Sequence, residues 1–78
     1  MKLYGYHDEG LPTERINPVE LSEVTLVATP SELRKIAVFL ESAAKTMDSM
    51  GKNYGHEHLA DRDRSFTSSP HLVVAGVD

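Results

Sequence analysis

The spacing of apolar residues predicts one long amphipathic helix between short strands. From residue 30 to about residue 50, apolar residues recur every three or four positions, which is the helical period. Thr29 and Glu32 can form a capping box, and Gly51 offers a left-handed stop. Pro30 suits the first helical position. The predicted apolar stripe, which should pack on a sheet, consists of Leu33, Ile36, Ala37, Leu40, Ala43, Ala44 and Met47.

Three segments have the composition of β-strands. Residues 2–7 alternate loosely around Gly5 and predict a short edge strand. Residues 19–28 and 71–77 predict two further strands, and both are apolar on successive positions, as in strands covered on two faces. The order β-β-α-β predicts an α+β fold, in which a three- or four-stranded sheet carries the helix on one face.

The two connections are polar. Residues 8–18 contain Pro12 and Pro18, which indicates a loop. The segment of residues 52–70 is unusually long for a structureless connection in a compact domain. We therefore expect it either to include a secondary-structure element or to serve a function. We expect a short extended piece around residues 57–61 and a loop over residues 65–70.

The small size of the chain limits its core. We expect a single domain over residues 1–78, and without cysteine no disulfide can reinforce it. One helix covers only one face of a sheet, so the other face should expose apolar side chains and form an interface. That interface could serve another protein or a second copy of the chain, as a homodimer through the sheet face. The residues concerned are either Thr25, Val27, Val73, Ala75 and Val77 or the residues of opposite parity on the same strands.

Charge and hydropathy exclude several kinds of partner. The net charge is −4, and no basic patch is present to neutralise phosphates, so we expect no binding to nucleic acid. A mildly acidic surface suits a basic protein partner. No apolar run is long enough to span a membrane, and residues 1–8 lack a signal-peptide stretch. We therefore expect a cytoplasmic protein.

The densest group of polar side chains lies in residues 56–64. On an extended backbone, His56 and His58 project to one face, and Asp61 or Asp63 could complete a zinc site. The spacing matches no zinc motif, and the alternative is a loop whose polar groups bond to the backbone and to Arg62 or Arg64. We predict no metal and no cofactor, with His56, His58 and Asp61 as the residues to test.

The same segment is the candidate surface for a protein partner. Asp61 to Arg64 alternate in charge, which is typical either of a solvated run or of a charged rim that orients a partner. Tyr4, Tyr6 and Phe66 could anchor an interface, but core or strand packing is the simpler interpretation. The candidate partner-binding residues are His56, Glu57, His58, Asp61, Arg62, Asp63 and Arg64.

Nothing in the sequence indicates catalysis. The serines at positions 65, 68 and 69 belong to no Gly-x-Ser-x-Gly motif, and no glycine-rich phosphate loop is present. A chain of 78 residues has little volume for a substrate pocket in addition to a core. We therefore expect no enzyme and name no catalytic residue.

Two stretches, EVTLVATPSELRKIAVFL at residues 23–40 and GHEHLAD at residues 55–61, resemble the small bacterial family called immunity protein 32. The resemblance covers about residues 21–76. It implies a cytoplasmic α+β protein, encoded beside a toxin of a polymorphic secretion system, that binds and neutralises this toxin without catalysis. Within the motif it points to His56, Glu57, His58 and Leu59, followed by Asp61, either as toxin contacts or as residues that hold the loop on the sheet.

Overall fold

A computed structural model describes residues 1–7, 10 and 17–77, so the predicted loop over residues 8–18 lies mostly outside the described residues. The α+β class with one main helix is confirmed. The secondary structure of the described residues includes two single-turn 3-10 helices, at Gly51–Asn53 and Arg64–Phe66. The other elements are β1 (Leu3–Gly5), β2 (Val19–Leu21), α1 (Pro30–Met50), β3 (His56–His58), α2 (Leu59–Arg62) and β4 (Val73–Ala75).

The strands form two separate antiparallel pairs. β1 pairs with β2, with Leu3 opposite Leu21, and β3 pairs with β4, with His58 opposite Val73. The prediction of one three- or four-stranded sheet in the order β-β-α-β is therefore wrong, because β3 adds a strand and the described strands make two sheets. Each strand is only three residues long, which leaves little edge on which a further strand could pair.

The segment that precedes α1 departs most from the prediction. The predicted strand over residues 19–28 ends at Leu21, and Glu23–Ala28 continues without a turn or a bend. Its backbone forms no hydrogen bond with any other residue that the structure describes. Val27 is 96% exposed. The reason is that β-propensity is expressed only where a partner strand is available.

Helix α1 begins and ends as predicted. The Thr29 hydroxyl accepts a 3.1 Å hydrogen bond from the Glu32 amide, and the Glu32 carboxylate accepts a 2.8 Å bond from the Thr29 amide. The hydrogen bond from the Thr29 amide to the carboxylate, followed by the effect of the Thr29 side chain, lowers the pKa of Glu32. At the other end, Gly51 adopts a φ of 56°, which favours glycine. Local sequence is therefore sufficient to define this helix.

The packed face of α1 is rotated relative to the predicted stripe. Ile36, Phe39 and Ala43 are buried, and Phe39 was not among the predicted positions. The elements packed against α1 come from residues 59–75, and they cover only part of its wide apolar arc. Four positions of the predicted stripe consequently remain exposed: Leu33, Ala37, Leu40 and Ala44.

The core is small and belongs to α1 and the C-terminal half. Phe39 is 4% exposed and packs with Ile36, Leu59 and Phe66, and smaller contributions come from residues 60, 72 and 74. The chain exposes 6833 Å² in total. A compact monomer of 78 residues exposes about 4,700 Å², so this chain leaves more of its surface exposed than a compact monomer does.

Among the described residues no helix is both long and apolar enough to cross a membrane.

Candidate functional site

Strand β3 directs alternate side chains inward and outward. Leu59, the first residue after the strand, is 3% exposed, and Glu57 is half-buried. His56 and His58 project to the opposite face of the strand, as the extended backbone requires. The Leu59 amide donates to the Leu72 carbonyl at 2.9 Å, which extends the pairing with β4. The His-Glu-His-Leu motif therefore separates Glu57 and Leu59, which hold the fold, from the outer histidines, of which His56 is exposed and His58 half-buried.

Glu57 connects three parts of the C-terminal half. Its carboxylate accepts a 2.8 Å hydrogen bond from the Tyr54 hydroxyl and is paired with the Arg62 guanidinium. The Arg62 bond, followed by the Tyr54 bond, lowers the pKa of Glu57. Burial, followed by the bond to Glu57, raises the pKa of Tyr54. Of the predicted contact residues, Glu57 is thus engaged within the chain.

Replacing Glu57 with glutamine should lower the stability of the fold at neutral pH. The pKa of Glu57 is lower in the folded chain than its ordinary value of 4.5, so the ionised carboxylate stabilises the fold above that pH. The stabilisation is lost as the pH falls through the folded pKa. Thermal unfolding followed by circular dichroism should show a lower midpoint for Glu57→Gln at pH 7 and a shrinking difference in acid.

The control for this experiment is Glu23→Gln. Glu23 is exposed in the segment before α1 and has no side-chain hydrogen bond to another described residue. Its midpoint should follow that of the wild-type protein across the same pH range. A difference between Glu57→Gln and wild type that stays constant from neutral pH into acid would contradict the role of the ionised Glu57.

The alternating charges of residues 61–64 do not pair with one another in the structure. Asp63 accepts hydrogen bonds from the Ser65 amide at 3.0 Å and from the Ser65 hydroxyl at 2.6 Å. The hydroxyl bond, followed by the amide bond, lowers the pKa of Asp63. Asp63 therefore caps the 3-10 turn. Asp61 and Arg64 are exposed, and they are the two charges of this run that face solvent without such a bond.

The outer face of the β3–β4 pair, which we call the histidine face, groups three histidines with apolar side chains. The rings of His56 and His58 have centroids 5.2 Å apart and meet edge to face. The His58 ring lies 6.3 Å from that of His71. Val73, opposite His58 on β4, is 44% exposed. The sequence predicted that His56 and His58 share a face, but it did not place His71 beside them, because the register of β4 was unknown.

The metal hypothesis receives no geometric support. Nowhere in the described ranges do three or more His, Cys, Asp or Glu side chains converge so that they could hold an ion. His56 and His58 lie together, whereas Asp61 lies beyond them on α2, where the chain has changed direction. The third ligand that a zinc site needs is therefore not contributed by Asp61.

A shallow groove between α1 and the charged run contains residues that the sequence did not single out. Its volume is about 320 Å³, and its floor includes Val38 and Phe39. Lys35 lies at its rim and donates to the Ser65 hydroxyl at 3.3 Å. Val38 is apolar on the polar side of the helix, which is the one sequence signal for this groove. Arg62 and Asp63 also line it.

The aromatic candidates divide between core and surface. Phe66 is 6% exposed and belongs to the core, as the simpler interpretation predicted. Tyr4, on β1, and Tyr6, just after β1, are 59% and 53% exposed. Tyr54, which the sequence does not single out, donates its hydroxyl to the Glu57 carboxylate. The sequence signal for this contact is a tyrosine three residues before a glutamate.

Comparison with known proteins gives one result. The family described as Immunity protein 32 matches residues 23–77, from the exposed segment before α1 to the end of the last strand. No curated protein and no solved structure shows significant similarity to the chain. The matched region includes α1, the whole β3–β4 pair and the histidine face, and it covers well over half of the chain. The chain therefore belongs to the immunity protein 32 family.

Proposed function

We propose that this protein binds a cognate bacterial toxin in the cytoplasm and neutralises it by occupying its surface, without catalysis of its own. Membership of a family of immunity proteins carries the proposal. The net charge of −4 supports a basic partner surface. Among the described residues, the groove beside α1 is open to solvent, which suits protein contact better than the enclosure of a small substrate.

The proposed contact surface is the outer face of β3 and β4 with the charges beside it. Its members are exposed or half-buried, and most of them lie on or beside a paired strand. Exposed apolar side chains between polar groups are typical of the centre of an interface. The inward residues Glu57 and Leu59 hold this surface in place, which limits the ordering cost of binding. The surface consists of His56, His58, Asp61, Arg64, His71, Val73 and Ala75.

We assign this face to the toxin rather than to a second copy of the chain. The sequence also predicts a possible homodimer through the sheet face, and this alternative requires exposed apolar residues on that face. Val73 and Val77 are exposed. Thr25 and Val27, however, precede α1 outside any described strand, so the predicted apolar sheet face is reduced. Three histidine rings on what remains make the face more polar than an obligate dimer interface.

The test is protection of a bacterial host by co-expression with the toxin encoded beside the gene. The wild-type protein should restore growth, and a purified mixture should form a complex measurable by calorimetry. The double variant His56→Ala/His58→Ala should bind about 10- to 100-fold more weakly, because truncated contacts at the centre of an interface are the costly ones. Circular dichroism should show that the variant keeps its helix.

The matched control is His7→Ala. His7 is an exposed histidine outside the residues that the family match covers. It should protect as well as the wild-type protein. If the wild-type protein gives no protection and no complex, the proposed function is wrong. If His56→Ala/His58→Ala folds and protects fully, the function stands, but the histidine face is not where the toxin binds.

A further inference from the structure

Helix α1 carries a second apolar row that the described part of the chain leaves partly exposed. Leu33 and Leu40 are 45% and 46% exposed, and the two alanines of the row are exposed as well. The spacing of the four residues is four, three and four, which is the spacing of a coiled-coil seam rather than of scattered surface residues. The row spans about 17 Å of helix. It consists of Leu33, Ala37, Leu40 and Ala44.

We propose that this row is the interface of a homodimer, in which the α1 helices of two chains pack antiparallel across a twofold axis. In that arrangement Leu33 meets Ala44 of the second chain, and Ala37 meets Leu40. Each contact places a large side chain against a small one, so the two helices can approach closely without a cavity or a clash. A twofold axis requires such self-complementarity, since each contact occurs twice.

The charges beside the row are complementary in the same register. Arg34 and Glu41 each follow a leucine of the row directly, and antiparallel packing brings Arg34 of one chain opposite Glu41 of the other. Within one chain these two residues are seven positions apart, about 10 Å along the helix, which is too far for a pair. Both are exposed, and neither forms a salt bridge among the described residues.

The total exposed area of the chain exceeds what a dimer interface needs. The chain exposes 6833 Å². This is roughly 2,100 Å² more than a compact monomer of its length, whereas each partner of a standard interface contributes about 800 Å². Its radius of gyration is 13.5 Å. A compact chain of this length has a radius of gyration of about 11.5 Å. A second copy therefore has ample surface to cover. The inference goes beyond toxin binding and does not depend on it.

The first experiment compares two substitutions on the same helix by sedimentation velocity from 1 to about 100 µM, the range expected for a small interface. Leu40→Glu should weaken dimerisation by more than about a hundredfold, because the twofold axis brings two carboxylates into the seam. Val38→Glu is the control, since Val38 is 71% exposed on another side of α1. It should change the dissociation constant by less than about threefold.

The second experiment tests the register by charge exchange. Arg34→Glu and Glu41→Arg should each weaken the dimer by about tenfold, because each opposes like charges twice. The double variant Arg34→Glu/Glu41→Arg should restore wild-type affinity to within about threefold. If Leu40→Glu has lost its helical circular dichroism, the charge-exchange variants alone test the proposed dimer, because all their substitutions are at exposed positions.

Three results would overturn the proposal. A wild-type protein that stays monomeric over the whole concentration range has no such interface. A dimer that Val73→Glu disrupts and Leu40→Glu does not would use the outer sheet face instead. Losses of affinity that add up in the double charge variant, rather than cancel, would show that Arg34 and Glu41 do not meet across the twofold axis.

Discussion

Replacing Phe39 with alanine should remove a large share of the stability of the fold. Phe39 is 4% exposed at the centre of the core cluster. Truncation of a buried phenylalanine costs about 3–5 kcal/mol, because transfer energy is lost and a cavity remains. The whole stability of a 78-residue chain is about 4–12 kcal/mol. Urea unfolding followed by far-ultraviolet circular dichroism should therefore show a midpoint far below that of the wild-type protein.

The neighbouring residue provides the control for Phe39→Ala. Val38 precedes Phe39 on the same helix but is 71% exposed. Val38→Ala should change the free energy of unfolding by about 0.5 kcal/mol or less, as is usual for surface substitutions. Equal effects of the two substitutions would show that α1 does not present Phe39 to the core.

Replacing Phe66 with alanine should have a comparable effect, centred on the connection between β3 and β4. Phe66 is 6% exposed and is the residue of the 3-10 turn that enters the core. Its loss should cost about 3–5 kcal/mol. Amide hydrogen exchange should become faster over residues 59–69 in particular, since Phe66 and Leu59 are the buried anchors of this stretch. The protection that we propose under co-expression with a toxin should fall with it.

Phe66→Leu separates packing from aromatic character at this position. Leucine keeps an apolar side chain in the cluster, so the substitution should cost about 1.5 kcal/mol or less. It should leave most of the protection against hydrogen exchange intact. If Phe66→Ala exchanged no faster than wild type over residues 59–69, the anchoring role of Phe66 would be refuted.

Features that depend on neighbouring residues could be predicted from the sequence. The start of α1 follows from Thr29 and Glu32, which are three positions apart, and the end follows from Gly51. The shared face of His56 and His58 follows from the period of an extended chain. In each case the physical cause acts within a few residues, so no knowledge of the tertiary structure is needed.

Features that depend on distant partners could not be predicted. The spacing alone does not distinguish the row containing Leu40 from the row containing Phe39, because both are apolar and helical. Which row is buried depends on where residues 59–75 pack. Val24–Ala28 fails as a strand for the same reason, since no partner strand pairs with it among the described residues. The pairing of Glu57 with Arg62 depends on the turn that α2 makes after β3.

The alternation along β3 has a consequence for how such a protein can change over generations. Its inward positions, Glu57 and Leu59, are constrained by folding, whereas His56 and His58 on the outer side contribute little to the core. Substitutions at the outer positions can therefore accumulate at small cost in stability, because surface changes usually lie within about 0.5 kcal/mol. Under the proposed function, a toxin that alters its surface can be matched by new outer residues on an unchanged scaffold.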